Sequence, residues 1–435
     1  MINFVTKLIL WTKERSFFRS VQATLVMLMP ITVIGSYFDL MNKLVFSPNG
    51  LIYNIFNLDK IMSDHIWYGG SFVCRGMVSI TFGAFGAYAA FFMARYTARI
   101  YHKDSTMAGL SAVLVLLFCS YASSSVNQRL GTTNLLQVNG IFIALMVGYG
   151  VGQIFHWLGA RYQLVANETA GWIRRRAENS ALPLLVSLIF GIMLGIIIYE
   201  LQLKVSNSGS FRGIVLRLQT TDNLGDVLLL SILVTALAWL GIGYPLESLS
   251  GAISNNYTTA NLTYALQHGN SWQVPYKFLG SSLINSYGIM GGASVVLAVI
   301  VLILLRHRNS NIEALALVNL LPAAFGSTVG FTLGLPIILN PLFLLPMVTL
   351  PLINMVLAAS AISLNLIPAS VYPILTGTPG ILIPFFGTNG NWSALVFALM
   401  LFLLDLLLLW PLIKVSERID QQAKLRREAT IDVQK

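Results

Sequence analysis

The segment between Arg308 and Lys414 constrains the fold of this chain most strongly, because it runs for more than a hundred residues without a Lys, Arg or His. It contains GLPIILNP at 334–341, where two prolines and a glycine interrupt an apolar run. Proline lacks the N–H donor and clashes with the preceding turn, so a regular helix does not continue through it. In hydrocarbon, broken backbone persists only where it is buried in protein or lines a cavity, and transporters place substrate sites there. The segment therefore indicates a membrane transporter.

The composition assigns the chain to the all-α polytopic membrane proteins. Of its 435 residues, 56% are hydrophobic and 10% are charged, whereas a soluble protein carries roughly 25% charged residues. Apolar runs near ~20 residues, the length that crosses a bilayer, recur along the chain, and we count about ten transmembrane helices with the broken ones included. The predicted spans are 22–44, 70–94, 106–124, 139–158, 181–201, 227–245, 279–305, 343–364 and 393–413.

Two further regions are too often interrupted to form single spanning helices. Residues 309–342 contain several prolines and glycines, so they are predicted to form a hairpin that enters and leaves the membrane. Residues 366–392, with four prolines, form another broken region. A polar connection at 202–226 predicts a boundary between two domains. The stretch 246–277 is rich in Asn, Ser, Thr and Tyr and is predicted to be irregular.

The basic residues are clustered along the chain. Lys and Arg exceed Asp and Glu by 27 to 17, which gives a formal net charge of +10. Under the positive-inside rule the clusters lie in the cytoplasm, so both termini are cytoplasmic and the number of full crossings is even. Nucleic-acid binding is not expected, because no continuous basic patch with interleaved aromatic residues is present. The clusters lie at 7–19, 95–103, 161–176, 306–308 and 414–427.

No cofactor or metal is expected from the sequence. Cys74 and Cys119 lie in apolar runs and belong to no CxxC or Cys/His cluster. They are interpreted as small core residues. The glycines of GYGVG at 148–152 are not followed by Lys-Ser or Lys-Thr, so they form no nucleotide-binding loop.

Six ordered blocks resemble the membrane subunit, enzyme IIC, of the bacterial sugar phosphotransferase system, in the lactose/cellobiose (diacetylchitobiose-type) family. The resemblance runs almost end to end. The blocks are MPITVIGS at 29–36 (family pattern MPLTIIGSF), NGIFIA at 139–144 (GLFVAI), WLGI at 239–242 (WFFGIHG), MGG at 290–292 (MGGSGAT), FTLGLPIILNP at 331–341 (VIFGLPIVLNP), and TGTP at 376–379 with GTNGNW at 387–392 (TTP and TGGDW).

The resemblance implies an architecture, a substrate class and partners. Residues 1–210 would form a scaffold and dimerisation domain, 211–420 a transport domain with two re-entrant hairpins, and 421–435 a cytoplasmic tail. The second domain would carry a disaccharide, such as cellobiose or another β-glucoside, across the bacterial cytoplasmic membrane by an elevator-like motion. Separate cytoplasmic IIB and IIA subunits would supply the phosphoryl group, and the permease would be a homodimer.

The two positions that carry the chemistry in this family differ here. The histidine of the family pattern GIHG aligns with Gly243, and the glutamate of its NEP segment aligns with Val329, followed by Gly330 in place of proline. A sugar hydroxyl needs an acceptor that orients it and takes its proton, and neither glycine nor valine is one. We therefore assign no catalytic residue, and whether the chain takes part in an enzymatic reaction stays open.

Three other residues are candidates for contact with a sugar. Glu247 follows Gly243 by about one helical turn, and either faces the substrate or lies solvated at the membrane edge. Asn340 either binds sugar hydroxyls or caps the broken backbone, the second being favoured. Asn139 matches a position beside the sugar in the resembled proteins. Asp405 lies deep in an apolar span and is expected to face the protein interior with a polar partner.

Two alternative functions remain. A chain without the catalytic pair is either a degenerate paralogue that transports without phosphorylation, or one that senses sugar or serves as a docking surface. An unrelated ion-coupled transporter is disfavoured, because few carboxylates lie in the apolar runs.

Overall fold

The computed structural model describes residues 15–126, 135–161, 170–207, 221–242, 256–292, 294–306, 310–335 and 337–433. Over these residues the chain is helical and contains no β-strand. Two isolated bridges occur, between Gly50 and Thr376 and between Lys103 and Arg161. The all-α prediction is therefore confirmed for the part of the chain that the structure describes.

The first half contains six long helices, joined in three places by short helical segments. They are α1 Ser16–Leu44, the short helices Leu51–Ile55 and Leu58–Ile61, α2 Asp64–Val78, a π-helical turn Ser79–Gly83, α3 Phe85–Ile100, α4 Ser105–Val126, a 3-10 turn Val138–Gly140, α5 Ile141–Leu158 and α6 Ala170–Asn207.

The second half contains shorter and more often broken helices. They are α7 Leu224–Leu240, α8 Asn256–His268, the turns Gly280–Ser282, Leu283–Gly288 and Met290–Gly292, α9 Ser294–Arg306, α10 Ser310–Ala324, α11 Val329–Gly334, α12 Pro341–Ser363, the turn Gly380–Leu382 with the short helix Ile383–Gly387, and α13 Trp392–Val433.

Seven helical segments among the described residues are long and apolar enough to cross a membrane, and three shorter apolar helices accompany them. The segment Asp64–Ile100 counts once, because α2 and α3 run on through the π-helical turn. Large apolar side chains such as Leu185 and Ile189 of α6 are exposed on the protein surface, as lipid contact requires. The polytopic membrane class is confirmed, whereas the total of about ten spans and the two re-entrant hairpins stay predictions.

Small residues allow the helices of the first half to pack closely. Alanines recur along α3, and α5 presents Gly148 and Gly152 to it. A Cβ atom on Gly148 would lie 2.7 Å from the carbonyl oxygen of Ala90, and one on Gly152 would lie 2.5 Å from Cβ of Thr97. Glycines at four-residue spacing let two helix backbones approach closely and make dispersion contacts. Such contacts hold helices together in a membrane, because lipid is as apolar as the side chains and burial alone gives little driving force.

Two predicted basic clusters meet at one end of this bundle. Asp104 begins α4 and accepts hydrogen bonds at 3.1 Å from the N–H groups of Thr106 and Met107. Its carboxylate also binds Arg176 of α6 through two bonds of 2.6 and 3.0 Å. Lys103 donates to the carbonyl oxygen of Gly159. Residues from the 95–103 and 161–176 clusters therefore share one end, as the charge distribution predicts.

The second half corrects two sequence predictions. Residues 279–305 do not form one long span, because left-handed backbone at Met290, Gly291 and Gly292 (φ 44°, 65° and 91°) ends the first segment before α9 begins. The stretch 246–277, expected to be irregular, contains the helix α8. The amide of Asn261 holds α8 to the following loop by bonding both the carbonyl oxygen and the N–H of Tyr276, at 2.6 and 3.0 Å.

The predicted domain division at residues 210 and 211 lies outside the described residues. The chain that follows packs with the second half, since the carboxylate of Asp222 accepts a hydrogen bond of 2.7 Å from the N–H of Phe278. Burial raises the pKa of the Asp222 carboxyl, and the bond from Phe278 opposes that rise.

Removing the carboxylate of Asp104 tests the contact between α4 and α6. Asp104→Ala is expected to lower the free energy of unfolding by about 2–4 kcal/mol, because it deletes a helix cap and leaves Arg176 without its partner in a partly buried site. The thermal unfolding midpoint of the purified protein in detergent measures the loss. Glu178→Ala is the matched control, since the Arg174–Glu178 pair is exposed and worth about 0–1 kcal/mol. Equal midpoints for the two variants would contradict the expectation.

Candidate functional site

Three interruptions of the chain meet at one place, which we call the three-turn junction: residues 138–141, 239–242 and 337–341. Gly241 ends α7 in a left-handed conformation (φ 79°) that favours glycine. A Cβ atom there would lie 2.5 Å from Cγ2 of Ile141 and 3.2 Å from Cγ2 of Ile338. The close approach of the three turns therefore depends on a glycine at 241.

Hydrogen bonds hold the broken backbone of this junction. The carbonyl oxygen of Trp239 accepts from the N–H of Leu339 at 3.0 Å. The indole Nε1–H of Trp239 donates to the carbonyl oxygen of Asn340 at 2.9 Å. Asn340 Oδ1 accepts from the N–H of Leu342 at 3.2 Å and caps α12, whose first residue is Pro341. Proline suits that position because its missing N–H would have no intrahelical partner there.

The structure brings some of the predicted site residues together and leaves others undescribed. Asn139 lies half-buried in the first turn, and Asn340 lies in the third. Gly243 and Glu247 lie outside the described residues, as does Pro336, although Gly241 and Ile242 place the chain that leads to Gly243 at the junction. The capping use of Asn340 is observed, and sugar contacts by Asn139, Asn340 and Glu247 stay predictions.

The position of the family glutamate is packed in an apolar environment. Val329 begins α11 and contacts the apolar cluster of the first half, together with Ile338 and Leu240. α11 packs on α1, and a Cβ atom on Gly334 would lie 2.8 Å from Cγ of Met29. Val329 is therefore half-buried against apolar side chains.

The glycine at 330, where the resembled pattern has proline, has a structural reason. The N–H of Gly330 donates to Oγ of Ser36 at 3.1 Å in a buried contact. A Cβ atom at this position would lie 2.4 Å from Oδ1 of Asn319 and 2.9 Å from Oγ of Ser36. Proline would lack the donor and fill the space, so glycine is required where α11 meets α1.

The turn at 290–292 contacts a break in each of the two predicted hairpin regions. Gly326 lies between α10 and α11 with φ 85°, and a Cβ atom on it would lie 3.0 Å from the carbonyl oxygen of Gly291. A Cβ atom on Gly291 would lie 2.5 Å from Cδ1 of Ile383. The interruptions at 325–328 and 380–383 are therefore both in contact with the turn at 290–292.

Sequence reasoning missed a polar stripe on α1 that faces these breaks. Thr32, Ser36, Asp39 and Lys43 recur at three- or four-residue spacing within an apolar span, which places them on one face. Asp39 Oδ2 accepts from Oγ of Ser327 at 3.2 Å and from Nζ of Lys43 at 2.8 Å. The helical period of these polar residues was the signal that could have revealed the contact.

His156 and His268 do not lie at the three-turn junction. His156 stacks on Tyr101, with ring centroids 3.7 Å apart, near the basic end of the first bundle. His268 ends α8, stacks on Tyr264 and contacts that residue's carbonyl oxygen at 2.9 Å. Over the described ranges, no group of three His, Cys, Asp or Glu side chains is placed to hold a metal ion.

An open groove of about 510 Å³ runs along α8. Its lining offers hydroxyl and amide groups from one helix face, and consists of Asn256, Thr259, Ala260, Thr263, Tyr264, Gln267 and Pro275.

Comparison with known proteins gives one similarity. No protein-family model matches the chain. No curated protein matches it either. Among solved structures, the chain is similar to the transporter ChbC, the IIC component from the N,N'-diacetylchitobiose-specific phosphotransferase system, with 19% identity, a TM-score of 0.42, and 98% of each chain covered.

Filling the space at Gly330 tests the packing of α11 on α1. Gly330→Ala is expected to lower the free energy of unfolding by about 1–3 kcal/mol, because the added methyl group overpacks the contact with Asn319 and Ser36. Thermal unfolding of the purified protein measures the change. Gly171→Ala, where nothing lies within 4 Å of the added Cβ atom, is the control and is expected to be neutral or slightly stabilising. An unchanged midpoint for Gly330→Ala would contradict the packing.

Proposed function

We propose that the chain is the sugar permease subunit, IIC, of a bacterial phosphotransferase system, and that it moves a disaccharide of the cellobiose or β-glucoside kind across the cytoplasmic membrane. One observation carries the proposal. Three blocks of the sequence resemblance, at 139–144, 239–242 and 331–341, meet at the three-turn junction although they are far apart in the chain. A chance resemblance gives no reason for such convergence.

The polar groups of the junction suit a neutral sugar. An amide carries both donors and acceptors for hydroxyl groups, so Asn139 and Asn340 have the chemistry that a sugar requires, and Glu247 would add a strong acceptor. In the proposed arrangement, the domain 211–420 carries these groups past a dimeric scaffold formed by 1–210. Both termini lie in the cytoplasm, where separate IIB and IIA subunits act.

A second candidate function keeps the transport and drops the phosphoryl transfer. Val329 packs against apolar side chains, and Gly330 is fixed by its bond to Ser36. Val329, which aligns with the glutamate of the resembled pattern, is therefore half-buried among apolar side chains. Since Gly243 supplies no imidazole either, the proton of the sugar hydroxyl lacks an evident acceptor, unless Glu247 serves. This observation favours a permease that releases unmodified sugar, senses it, or acts as a docking surface.

Uptake of labelled cellobiose into proteoliposomes distinguishes the two. If phosphorylation is coupled, sugar phosphate accumulates inside only when phosphorylated IIB is enclosed. If the second candidate is correct, free sugar equilibrates at the same rate with or without IIB. Absence of any saturable uptake or binding across a panel of disaccharides would overturn both.

The variants Asn340→Ser and Asn340→Ala separate capping from sugar binding. Serine retains an oxygen that caps α12 but removes the amide group, so we expect an unchanged unfolding midpoint and about tenfold weaker binding of cellobiose. Alanine removes both, and is expected to cost a further ~0.5–2 kcal/mol of stability. Calorimetric titration and thermal unfolding measure the two quantities. Wild-type affinity in Asn340→Ser would show that Asn340 serves only as a cap.

A further inference from the structure

A carboxylate is buried between three helices of the second half. Asp405 of α13 is 0% exposed, and it lies inside a membrane-spanning segment. Its Oδ2 accepts a hydrogen bond of 3.1 Å from Oγ of Ser294 in α9. The Nδ2 group of Asn354 in α12 lies 3.2 and 3.1 Å from its two oxygens. The expected interior placement of Asp405 with a polar partner is confirmed.

The amide of Asn354 leaves one buried atom without a partner. Asn354 is also 0% exposed, and its Oδ1 accepts no hydrogen bond. A buried acceptor without a donor is costly. A cyclic pair between an amide and a carboxylic acid would satisfy this atom, because the acid O–H donates to the amide oxygen while the amide N–H donates to the acid carbonyl.

No charged group of the described residues balances Asp405. Of the elements that pack on α13, α9 carries only Arg306, while α12 and the segments 380–382 and 383–387 carry no ionisable side chain. Arg306 and Lys414 both lie by Trp410, more than one helical turn beyond Asp405. Tyr287 contacts Phe397, about two turns before it.

We propose that Asp405, with Asn354 and Ser294, is a proton-binding site. A proton from water adds to one carboxylate oxygen and gives a neutral carboxylic acid, whose new O–H bond donates to Oδ1 of Asn354. Nδ2 of Asn354 and Oγ of Ser294 remain donors to the carboxyl oxygens. In this protonated state every polar atom of the three side chains has a hydrogen-bond partner. In the charged state, Oδ1 of Asn354 accepts no hydrogen bond.

The site is linked to both places where the chain is broken. Ser294 begins α9 directly after the 290–292 turn, which contacts Gly326 and Ile383. Asn354 lies on α12, which starts at the three-turn junction. Adding or removing the proton changes which side chains donate the hydrogen bonds between α9, α12 and α13. It therefore changes the contacts between the helices that position the candidate sugar site. The proton site does not rest on the proposed function, whereas its coupling to transport rests on the second candidate, a permease that releases unmodified sugar.

Infrared difference spectroscopy of the purified protein tests the site without reference to transport. At neutral pH the wild type is expected to show the carbonyl band of a buried, protonated carboxylic acid, and Asp405→Asn is expected to lose it. Asp59→Asn, at an exposed carboxylate, is the control and keeps the band. Asn354→Leu should shift the frequency of the band, because it removes the hydrogen-bond partner of the acid. This variant replaces Asp405→Asn in the test if Asp405→Asn does not fold. Absence of the band at neutral pH overturns the proposal, and so does a band that neither variant changes. Loss of the band on adding sodium ions also overturns it, because the site would then bind sodium instead of a proton.

Uptake into proteoliposomes tests the coupling. With one proton per sugar, an inward gradient of one pH unit should drive about tenfold accumulation of labelled cellobiose by the wild type. Asp405→Asn should bring sugar only to equal concentrations. If the wild type moves no sugar, the proposed function fails while the spectroscopic result still decides the proton site. If it moves sugar with no response to the gradient, the coupling is wrong.

Discussion

The requirement to satisfy broken backbone inside an apolar protein governs the second half of this structure. Each interruption receives a partner that a continuous helix would not need. Trp239 bonds the turn at 337–341 through its carbonyl oxygen and its indole, and Asn340 caps the helix that follows. Ser36 of α1 accepts the N–H of Gly330. Because no water is present in hydrocarbon to replace these bonds, they determine which segments lie together.

Glycine makes those partnerships possible by letting backbones approach closely. Gly241, Gly326 and Gly330 each lie where a Cβ atom would come within 3.0 Å of a neighbouring atom. Val329 and Gly330 act together at this contact. Val329 places an apolar side chain against the cluster of the first half, and the N–H of Gly330 donates to Ser36 of α1. Both residues favour tight contact between α11 and the first half.

The sequence predicted the helices where hydrophobicity and length alone decide, as in α4, α5 and α12. It also located the breaks at 309–342 and 366–392, because proline and glycine act on their own backbone. It failed where a break needs a distant partner. Nothing local to 279–305 shows that Gly291 meets Gly326 and Ile383. The polar stretch 246–277 contains α8, which the bond from Asn261 to Tyr276 holds to the following loop. The hydrophobic pattern of the sequence does not predict this contact. The candidate site residues were predicted mainly through the resemblance. The polar stripe on α1 was overlooked because a few polar residues hardly change the mean hydropathy of an apolar span.

The last helix gives the molecule a mechanical link between lipid and water. Trp392–Val433 has 42 residues, which corresponds to ~63 Å along its axis, about twice the ~30 Å of the hydrocarbon core. The helix that holds Asp405 among α9 and α12 is therefore long enough to extend well outside the bilayer, and Pro411 inside it is the position where a kink is expected. A tilt of a few degrees at its buried end would displace its far end by several ångströms. A structural change at membrane depth would thus appear outside the bilayer as a displacement of the C-terminal end of this helix.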